Sequence, residues 1–291
     1  MTGWERVQWI TLALIPRLGR RTLERLLAHF GSLDAVLSAD DAALKAVPRI
    51  GAKTAAAIRA ADPHATAAAL DDWQAAEISA LLPGDDAFPA RLAALDDSPA
   101  VLFWRGSALP DESTPTVAIV GTRRPTRAAR EMAIALAETL ASDGWAVVSG
   151  LALGIDTAAH SGALSGGGMT VAVLGSGLTT IYPPSNATLA EHIAARGALL
   201  SEVHPDATPD RSALVARNRL ISGLSDVVIV IEAGLDSGSL YAARFAQTYG
   251  RALFAADSPA AGNLRLLAEG ASRLPADSAR WQELLVPYRP R

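Results

Sequence analysis

From residue 116 onward the chain alternates short apolar runs with helical patterns, and this alternation narrows the possible folds more than any other feature. The runs centre near Ile119, Val147, Val173, Leu199, Ile229 and Leu253, at intervals of 28, 26, 26, 30 and 24 residues. Helical periodicity fills the gaps, as in Ala128–Leu140 and Leu240–Tyr249. Strands and helices at this spacing build βαβ units and hence an α/β fold with a doubly wound, mostly parallel sheet. Ligands of such sheets bind beyond the carboxyl ends of the strands. The strand-to-helix loops are therefore where chemistry is to be sought.

The rest of the chain must fit around that sheet. With 291 residues, there is room for one large domain or two modest ones. Half of the residues are hydrophobic, 19% are charged, and the mean hydropathy is +0.21, which describes a packed globular protein. Cysteine is absent. That excludes a disulfide scaffold, a cysteine nucleophile and a cysteine zinc site, and it fits a cytoplasmic setting. No apolar run reaches the ~18–20 residues of a membrane span. The short N-terminal apolar stretch Val7–Ile15 follows Glu5 and lacks a small-x-small cleavage site, so neither a signal peptide nor a membrane partner is expected. The net charge of −4 means that a nucleic-acid site must be a local patch. All but two of the 26 Lys and Arg residues are Arg, the exceptions being Lys45 and Lys53. GC-rich codon usage accounts for most of that bias; Arg also suits bidentate phosphate contacts.

Residues 1–62 read as a small all-helical domain. Leu23, Leu26, Leu27 and Phe30 fall on one helical face. The segment contains a faint repeat: Ile15-Pro16-Arg17-Leu18-Gly19-Arg20-Arg21-Thr22 is echoed by Val47-Pro48-Arg49-Ile50-Gly51-Ala52-Lys53-Thr54. This pattern resembles helix-hairpin-helix motifs of SAM-like domains, in which a glycine turn brings backbone N–H groups to a DNA phosphate at a helix start. Residues 1–31 hold five Arg against two Glu. A plain helical bundle whose glycines only end helices stands as the alternative. On the first reading Arg20, Arg21 and Lys53 are accessory DNA contacts, and duplex DNA is an additional ligand. Residues 63–80 are expected to form a connecting helix. Residues 81–291 are expected to form the main domain, entered through a strand or two around Val101–Trp104.

The loops of that domain share one chemistry. The first strand runs into Gly121-Thr122-Arg123-Arg124-Pro125-Thr126, and residues 121–130 carry four Arg and no acid. A glycine and a hydroxyl at a helix start form an anion cradle. Arg near a helix N-terminus opposes the macrodipole, and a bound anion explains its presence. The dinucleotide fingerprint G-x-G-x-x-G is missing, and the second strand ends in Ser149-Gly150 rather than in an acid. Hydride transfer is thereby disfavoured. Walker A, H-E-x-x-H and G-x-S-x-G motifs are absent too. Asp156 is placed to cap the next helix, and His160 lies four residues on. The two form either an acid/base pair or, the favoured reading, a cap and an ordinary helix histidine. Arg217 and Arg219 sit about 200° apart on a helix at ~100° per residue. Either the helix starts after Arg217, or the two serve different partners. The fifth strand ends in Glu232 and is followed by Ser237-Gly238-Ser239, another anion-binding shape. No catalytic set is complete, and no metal or cofactor site is expected.

The ordered series Val120-Gly121-Thr122-Arg123 with Thr126, Ser149-Gly150-Leu151-Ala152, Gly154-Ile155-Asp156 with His160, Val171–Gly177, Tyr182-Pro183 with Asn186, Ser201-Glu202, Arg217-Asn218-Arg219, Glu232-Ala233 and Ser237–Leu240 closely resembles the DprA/Smf family of DNA-processing proteins. The match covers about residues 80–270. The resemblance implies an extended Rossmann-like domain and a non-enzymatic, homodimeric protein of natural transformation. Such a protein shields incoming single-stranded DNA and loads RecA recombinase onto it. Carried over to this sequence, the DNA pocket comprises Gly121, Thr122, Arg123, Thr126, Ser149, Gly150, Asn218, Ser237 and Gly238, with Arg217 and Arg219 adding charge.

This sequence departs from the family pattern in several places. Met169 stands where a basic residue is common, which weakens the expected strand binding. Leu214-Val215 replaces Phe-Pro, Tyr241-Ala242-Ala243 replaces a Thr-Ala segment, and Ala255-Ala256-Asp257 replaces Val-Pro-Gly. The winged helix that many relatives carry at the C-terminus is not seen. Two rival readings remain: a Rossmann-type enzyme acting on nucleotides or nucleoside phosphates, and an interaction protein that binds recombinase without touching DNA. The missing nucleophile speaks against the first, and the Arg clusters speak against the second.

Overall fold

A computed structural model describes residues 1–290. Six helices precede any strand: α1 (Gly3–Ala13), α2 (Arg20–Phe30), α3 (Leu33–Ser38), α4 (Asp41–Ala46), α5 (Ala52–Arg59) and α6 (Pro63–Ala75). Next come β1 (Ser79–Leu81), α7 (Ala90–Ala93) and β2 (Leu102–Gly106). Strict alternation follows in β3 (Thr116–Val120), α8 (Arg127–Ser142), β4 (Ala146–Ser149), α9 (Ile155–Ser165), β5 (Thr170–Val173), α10 (Ala187–Arg196) and β6 (Ala198–Ser201). The chain continues through α11 (Arg211–Ala216), α12 (Asn218–Leu224), β7 (Val227–Val230), α13 (Ser239–Thr248), β8 (Ala252–Ala256), α14 (Ala261–Ala268), β9 (Ser272–Leu274) and α15 (Trp281–Leu285). All six apolar runs that define the pattern are strands. No helix among the described residues is long and apolar enough to cross a membrane.

The nine strands form one sheet in the order β1-β2-β6-β5-β4-β3-β7-β8-β9. From β6 to β9 every pair is parallel, and β1 and β2 form an antiparallel edge. Side chains alternate between faces. Val117, Ile119, Val147 and Ile229 pack with α8, α9 and α15, while Ala118, Val120, Val148, Val228 and Val230 pack with α12 and α13. The winding runs outward from β3 to β6 and then crosses back to β7. The loops after β3 and β7 therefore part in opposite directions and open a crevice, the usual ligand site of such sheets.

The helical N-terminal unit shares a core with the antiparallel edge. Trp9 donates its indole N–H to the Ala100 carbonyl at 2.8 Å, and Trp73 meets Phe103 edge to face. Leu23 and Leu26 are fully buried in α2, with Leu27 and Phe30 packed against the same cluster. The connecting helix is shorter than the expected span of 63–80. It stops at Ala75 because Glu77 is left-handed (φ 59) and Ile78 N–H turns back to the Trp73 carbonyl, freeing Ser79–Leu81 to pair with β2.

The two repeat copies adopt the same turn, but the left-handed residue is not the glycine. Gly19 and Gly51 are extended N-caps (φ −75 and −91), whereas Arg17 (φ 69) and Arg49 (φ 73) take the left-handed conformation. That conformation costs an L-residue about 1–2 kcal/mol, part of which glycine would return as unfolded-state entropy. Arg17→Gly and Arg49→Gly should each raise the unfolding free energy, by up to about 1 kcal/mol, as read by urea denaturation of the single variants. A loss of stability in both would show that the turn carries no strain.

Candidate functional site

Three loops meet at the crevice between β3 and β7. Thr122 N–H donates to the Glu232 carbonyl at 2.7 Å, and Ile155 N–H donates to the Thr122 carbonyl at 3.2 Å. Those two bonds join the loops after β3, β4 and β7. Gly154, which opens α9, is left-handed (φ 88), and a Cβ there would strike the Thr122 oxygen and the Arg123 backbone. The close approach of the two loops therefore depends on glycine. Asn263 ties the far side together. Its carboxamide accepts from Ala233 N–H and donates to carbonyls of Val230, Ile231 and Ala256, all in the buried interior.

The N-terminus of α8 already faces an anion. The Glu232 carboxylate accepts from Thr126 N–H (2.8 Å) and from the Thr126 hydroxyl (3.1 Å), while that hydroxyl caps Ala129 N–H. Part of the compensation that the Arg-rich helix start requires is thus supplied by the protein's own carboxylate. Arg127 is held by Glu131. Arg123 and Arg124 are exposed and have no ion-pair partner among the described residues. They are free charge on the loop after β3.

Arg217 lies beneath the loops. Its guanidinium is buried, donates to the carbonyls of Gly150 and Val173, and lies 3.6 Å from the Asp156 carboxylate. A Cβ on Gly150 would overlap that guanidinium. Asp156 also accepts from Ala152 N–H. Burial pushes the Asp156 carboxyl up, against the pull of Arg217. Asn186 completes the frame from the other side by donating to the Leu151 carbonyl (2.8 Å) and to the Thr157 hydroxyl (2.9 Å).

The sequence-predicted residues thus divide into two layers. Gly121, Thr122, Arg123, Thr126, Ser237 and Gly238 lie at the accessible rim. Ser149, Gly150, Arg217 and Asn218 are buried below it. The side chains of Ser149, Arg217 and Asn218 are bonded within the protein. The Ser149 hydroxyl donates to the Ile119 carbonyl, and Asn218 donates to the Leu214 and Val215 carbonyls at the end of α11. Arg217 and Arg219 do not add free charge to the pocket. Arg219 pairs with Glu202 and donates to the Asp97 carbonyl. Both alternatives for this Arg pair hold at once, because α12 starts after Arg217 and the two serve different partners. Asp156 is not the cap of α9; Gly154 occupies that place. His160 turns away to Thr170, with Nδ1 2.7 Å from the Thr170 hydroxyl oxygen. Burial, and next the Arg217 charge, press its pKa down to about 3. Sequence reasoning gave no role to Asn186 or Asn263. The signal for Asn263 was a lone carboxamide in the apolar stretch Ala261–Ala268.

In the N-terminal unit, Arg20 pairs with Glu24, Arg21 pairs with Asp96, and Lys53 is exposed. The first turns of α2 and α5 have no side-chain cap.

A doubly wound sheet with glycine backbone, hydroxyls and unpaired guanidinium groups at its switch point defines a Rossmann-type protein. Residues 79–284 match the family model of DNA recombination-mediator protein A, and residues 10–61 match that of a SAM-like helix-hairpin-helix tandem. Protein Smf of Synechocystis is 37% identical over 280 residues, which span 93% of this chain and 70% of the relative. The crystal structure of DNA processing protein A from Streptococcus pneumoniae aligns with a TM-score of 0.77 at 30% identity, over 94% of this chain and 95% of that one. DNA processing protein A from Helicobacter pylori, solved for its single-stranded DNA binding mode, aligns with a TM-score of 0.65 at 36% identity, over 73% and 97% of the two chains. The chain belongs to the DNA recombination-mediator protein A family, the DprA/Smf proteins.

Two stability predictions follow from the buried layer. Removing one member of a buried pair leaves the other uncompensated, so Arg217→Ala should cost about 3–5 kcal/mol. Arg123→Ala, at an exposed position, should change stability by less than about 0.5 kcal/mol. Paired denaturation curves check the contrast. His160 is neutral when folded, but in the unfolded chain it takes up a proton near pH 6.5. The unfolded state then binds more protons, so stability falls as pH drops below about 6.5, by up to about 1.4 kcal/mol per pH unit. Between pH 7 and pH 5 the wild type should lose up to about 2 kcal/mol more than His160→Gln. Equal losses in the two proteins would refute the depressed histidine.

Proposed function

We propose that this chain binds the backbone of single-stranded DNA at the rim formed by Gly121, Thr122, Arg123, Thr126, Ser237 and Gly238. In this reading it acts without catalysis, as a cytoplasmic homodimer that shields incoming strands during natural transformation and loads RecA-type recombinase onto them. The observation that carries the reading is the pair of exposed, unpartnered arginines, Arg123 and Arg124, on the switch-point loop. The single-stranded DNA binding mode described for the Helicobacter pylori relative supports the ligand. The family's description as a recombination mediator supports the transfer role. The non-enzymatic role is supported by the two candidate acid/base residues, both engaged elsewhere: Asp156 with Arg217, and His160 with Thr170. The N-terminal tandem adds a second, sequence-blind contact through Arg20, Arg21 and Lys53 beside the uncapped starts of α2 and α5, and this contact also takes duplex DNA.

One titration series tests both contacts. Fluorescence anisotropy with single- and double-stranded oligonucleotides across a salt range should show tighter binding of the single strand, with log K falling by about 0.7 per phosphate neutralised. Arg123→Ala should cost about 1–3 kcal/mol, uniformly across sequences, and flatten the slope. The triple variant of Arg20, Arg21 and Lys53 to Ala should weaken duplex binding and leave single-strand preference in place. Duplex binding as tight as single-strand binding at moderate salt would sink the main reading. Recombinase filament assembly on a strand coated by single-strand binding protein, with and without this chain, tests the loading step.

A further inference from the structure

Away from the DNA rim, a cavity of about 270 Å³ combines apolar walls with an acidic fringe. Phe88, Leu109, Leu224 and the Trp104 ring of β2 supply the walls. Leu224 ends α12 shortly before β7, and residues 111–114 lead into β3. The cavity therefore lies at the amino ends of β3 and β7, whereas Arg123 and Arg124 follow the carboxyl end of β3. Its wall is fixed before any ligand arrives. Arg91 donates to the carbonyls of Asp111, Glu112 and Thr114, and its charge is answered by Asp226. Asp111 folds the same segment, accepting from the backbone N–H and hydroxyl groups of Ser113 and Thr114 on one carboxylate oxygen. Asp86, Asp111 and Glu112 are exposed and have no ion-pair partner among the described residues. The indole N–H of Trp104 is buried without a hydrogen-bond partner. Buried donors are nearly always paired, so this one calls for an acceptor from outside the chain.

We infer that this cavity docks a basic peptide segment of a protein partner: an apolar side chain enters between Phe88, Leu109 and Leu224, and flanking Arg or Lys side chains meet Asp86, Asp111 and Glu112. The Trp104 N–H then donates to a carbonyl of the segment. Charge complementarity selects the occupant. Three unpaired carboxylates around an apolar hole repel nucleic acid and acidic peptides, and they steer a cationic chain toward it. The apolar anchor supplies the affinity and the charged fringe the selectivity, as at the centre and rim of larger interfaces. Because the cavity and the DNA rim lie at opposite ends of the same strands, the partner and a bound strand can be held at once. The docking does not depend on the single-strand reading and stands if that reading falls.

The test uses the full chain and two short capped peptides, one with a central Leu and one with a central Phe, each flanked by Arg. The readout is the nuclear magnetic resonance signal of the Trp104 indole N–H, assigned by its loss in Trp104→Phe. At least one peptide should shift that signal saturably at concentrations up to about 1 mM, and added salt should weaken the effect. The same peptides with Glu in place of Arg should leave it unmoved. Fluorescence anisotropy of the labelled peptide then compares variants. Asp86→Asn combined with Glu112→Gln should weaken binding roughly 2- to 30-fold, and Trp104→Phe roughly 2- to 10-fold. Both should bind an oligothymidylate within about twofold of the wild type. No shift with either peptide, equal binding of the Glu counterparts, or undiminished binding in the acid variant overturns the proposal. A shift of equal size from butylammonium alone assigns the cavity to a small organic cation and overturns the peptide. Melting temperatures of the variants, matched to the wild type, exclude a folding defect as the cause.

Discussion

One buried guanidinium organises the functional end of this fold. Arg217 sits where α11 gives way to α12, and from there it reaches the last carbonyls of two neighbouring strand regions and the first turn of α9. A charge removed from water is costly, and an ion pair rarely returns a net gain. What it supplies here is geometry. Without a donor at that point, the carbonyls of Gly150 and Val173 would be buried and unpaired, and the turn through Leu151, itself left-handed (φ 60), would lose its support. The charge of Arg217 is spent on this frame. The potential felt outside comes from Arg123 and Arg124.

That constraint passes outward through glycines. Gly150 must lack a side chain because the guanidinium occupies the space a Cβ would take. Gly154 must lack one because the β3 loop passes against it. With both approaches closed, Thr122 and Arg123 are held between the loops after β4 and β7, and Arg123 is exposed. A phosphate arriving at such a rim meets donors already in place, and little ordering is left to oppose binding.

Most of the architecture was legible in the sequence because burial on both faces of a parallel sheet leaves uninterrupted apolar runs. Val147-Val148 and Val227–Val230 could hardly be anything else at that spacing. The site was legible only as a set of residues. Ser149, Asn218 and Arg217 carry the chemistry of anion binding, but burial decides whether a hydroxyl or a guanidinium faces solvent or a carbonyl, and no local pattern records that choice. The repeat in the N-terminal unit was visible from Pro16 and Pro48. Its left-handed residues were not visible, because glycine is the usual occupant of that conformation and here Arg17 and Arg49 hold it. Glu232 shows the same limit from the other side. Its neighbours in sequence suggested a strand end, while its carboxylate answers the start of α8, 106 residues earlier.

The charge of the whole molecule sharpens the placement of the rim. At the opposite edge of the sheet, Asp86, Asp111 and Glu112 line a cavity of about 270 Å³ together with Arg91. Arg91 is already committed to Asp226. Hydrogen bonds from Thr114 and Ser113 hold the Asp111 carboxyl down at about 2, so it stays ionised at any working pH. The loop after β3 thus carries the unpaired cations Arg123 and Arg124, and this cavity at the amino end of the sheet carries unpaired anions, within a chain whose net charge is −4. In the proposed reading a polyanion is repelled by the net charge at long range and attracted at the rim where its backbone comes within a Debye length of Arg123 and Arg124, about 8 Å at physiological salt. Close approach then requires a backbone that can bend into a crevice between loops. A flexible single strand meets that requirement more readily than a stiff duplex.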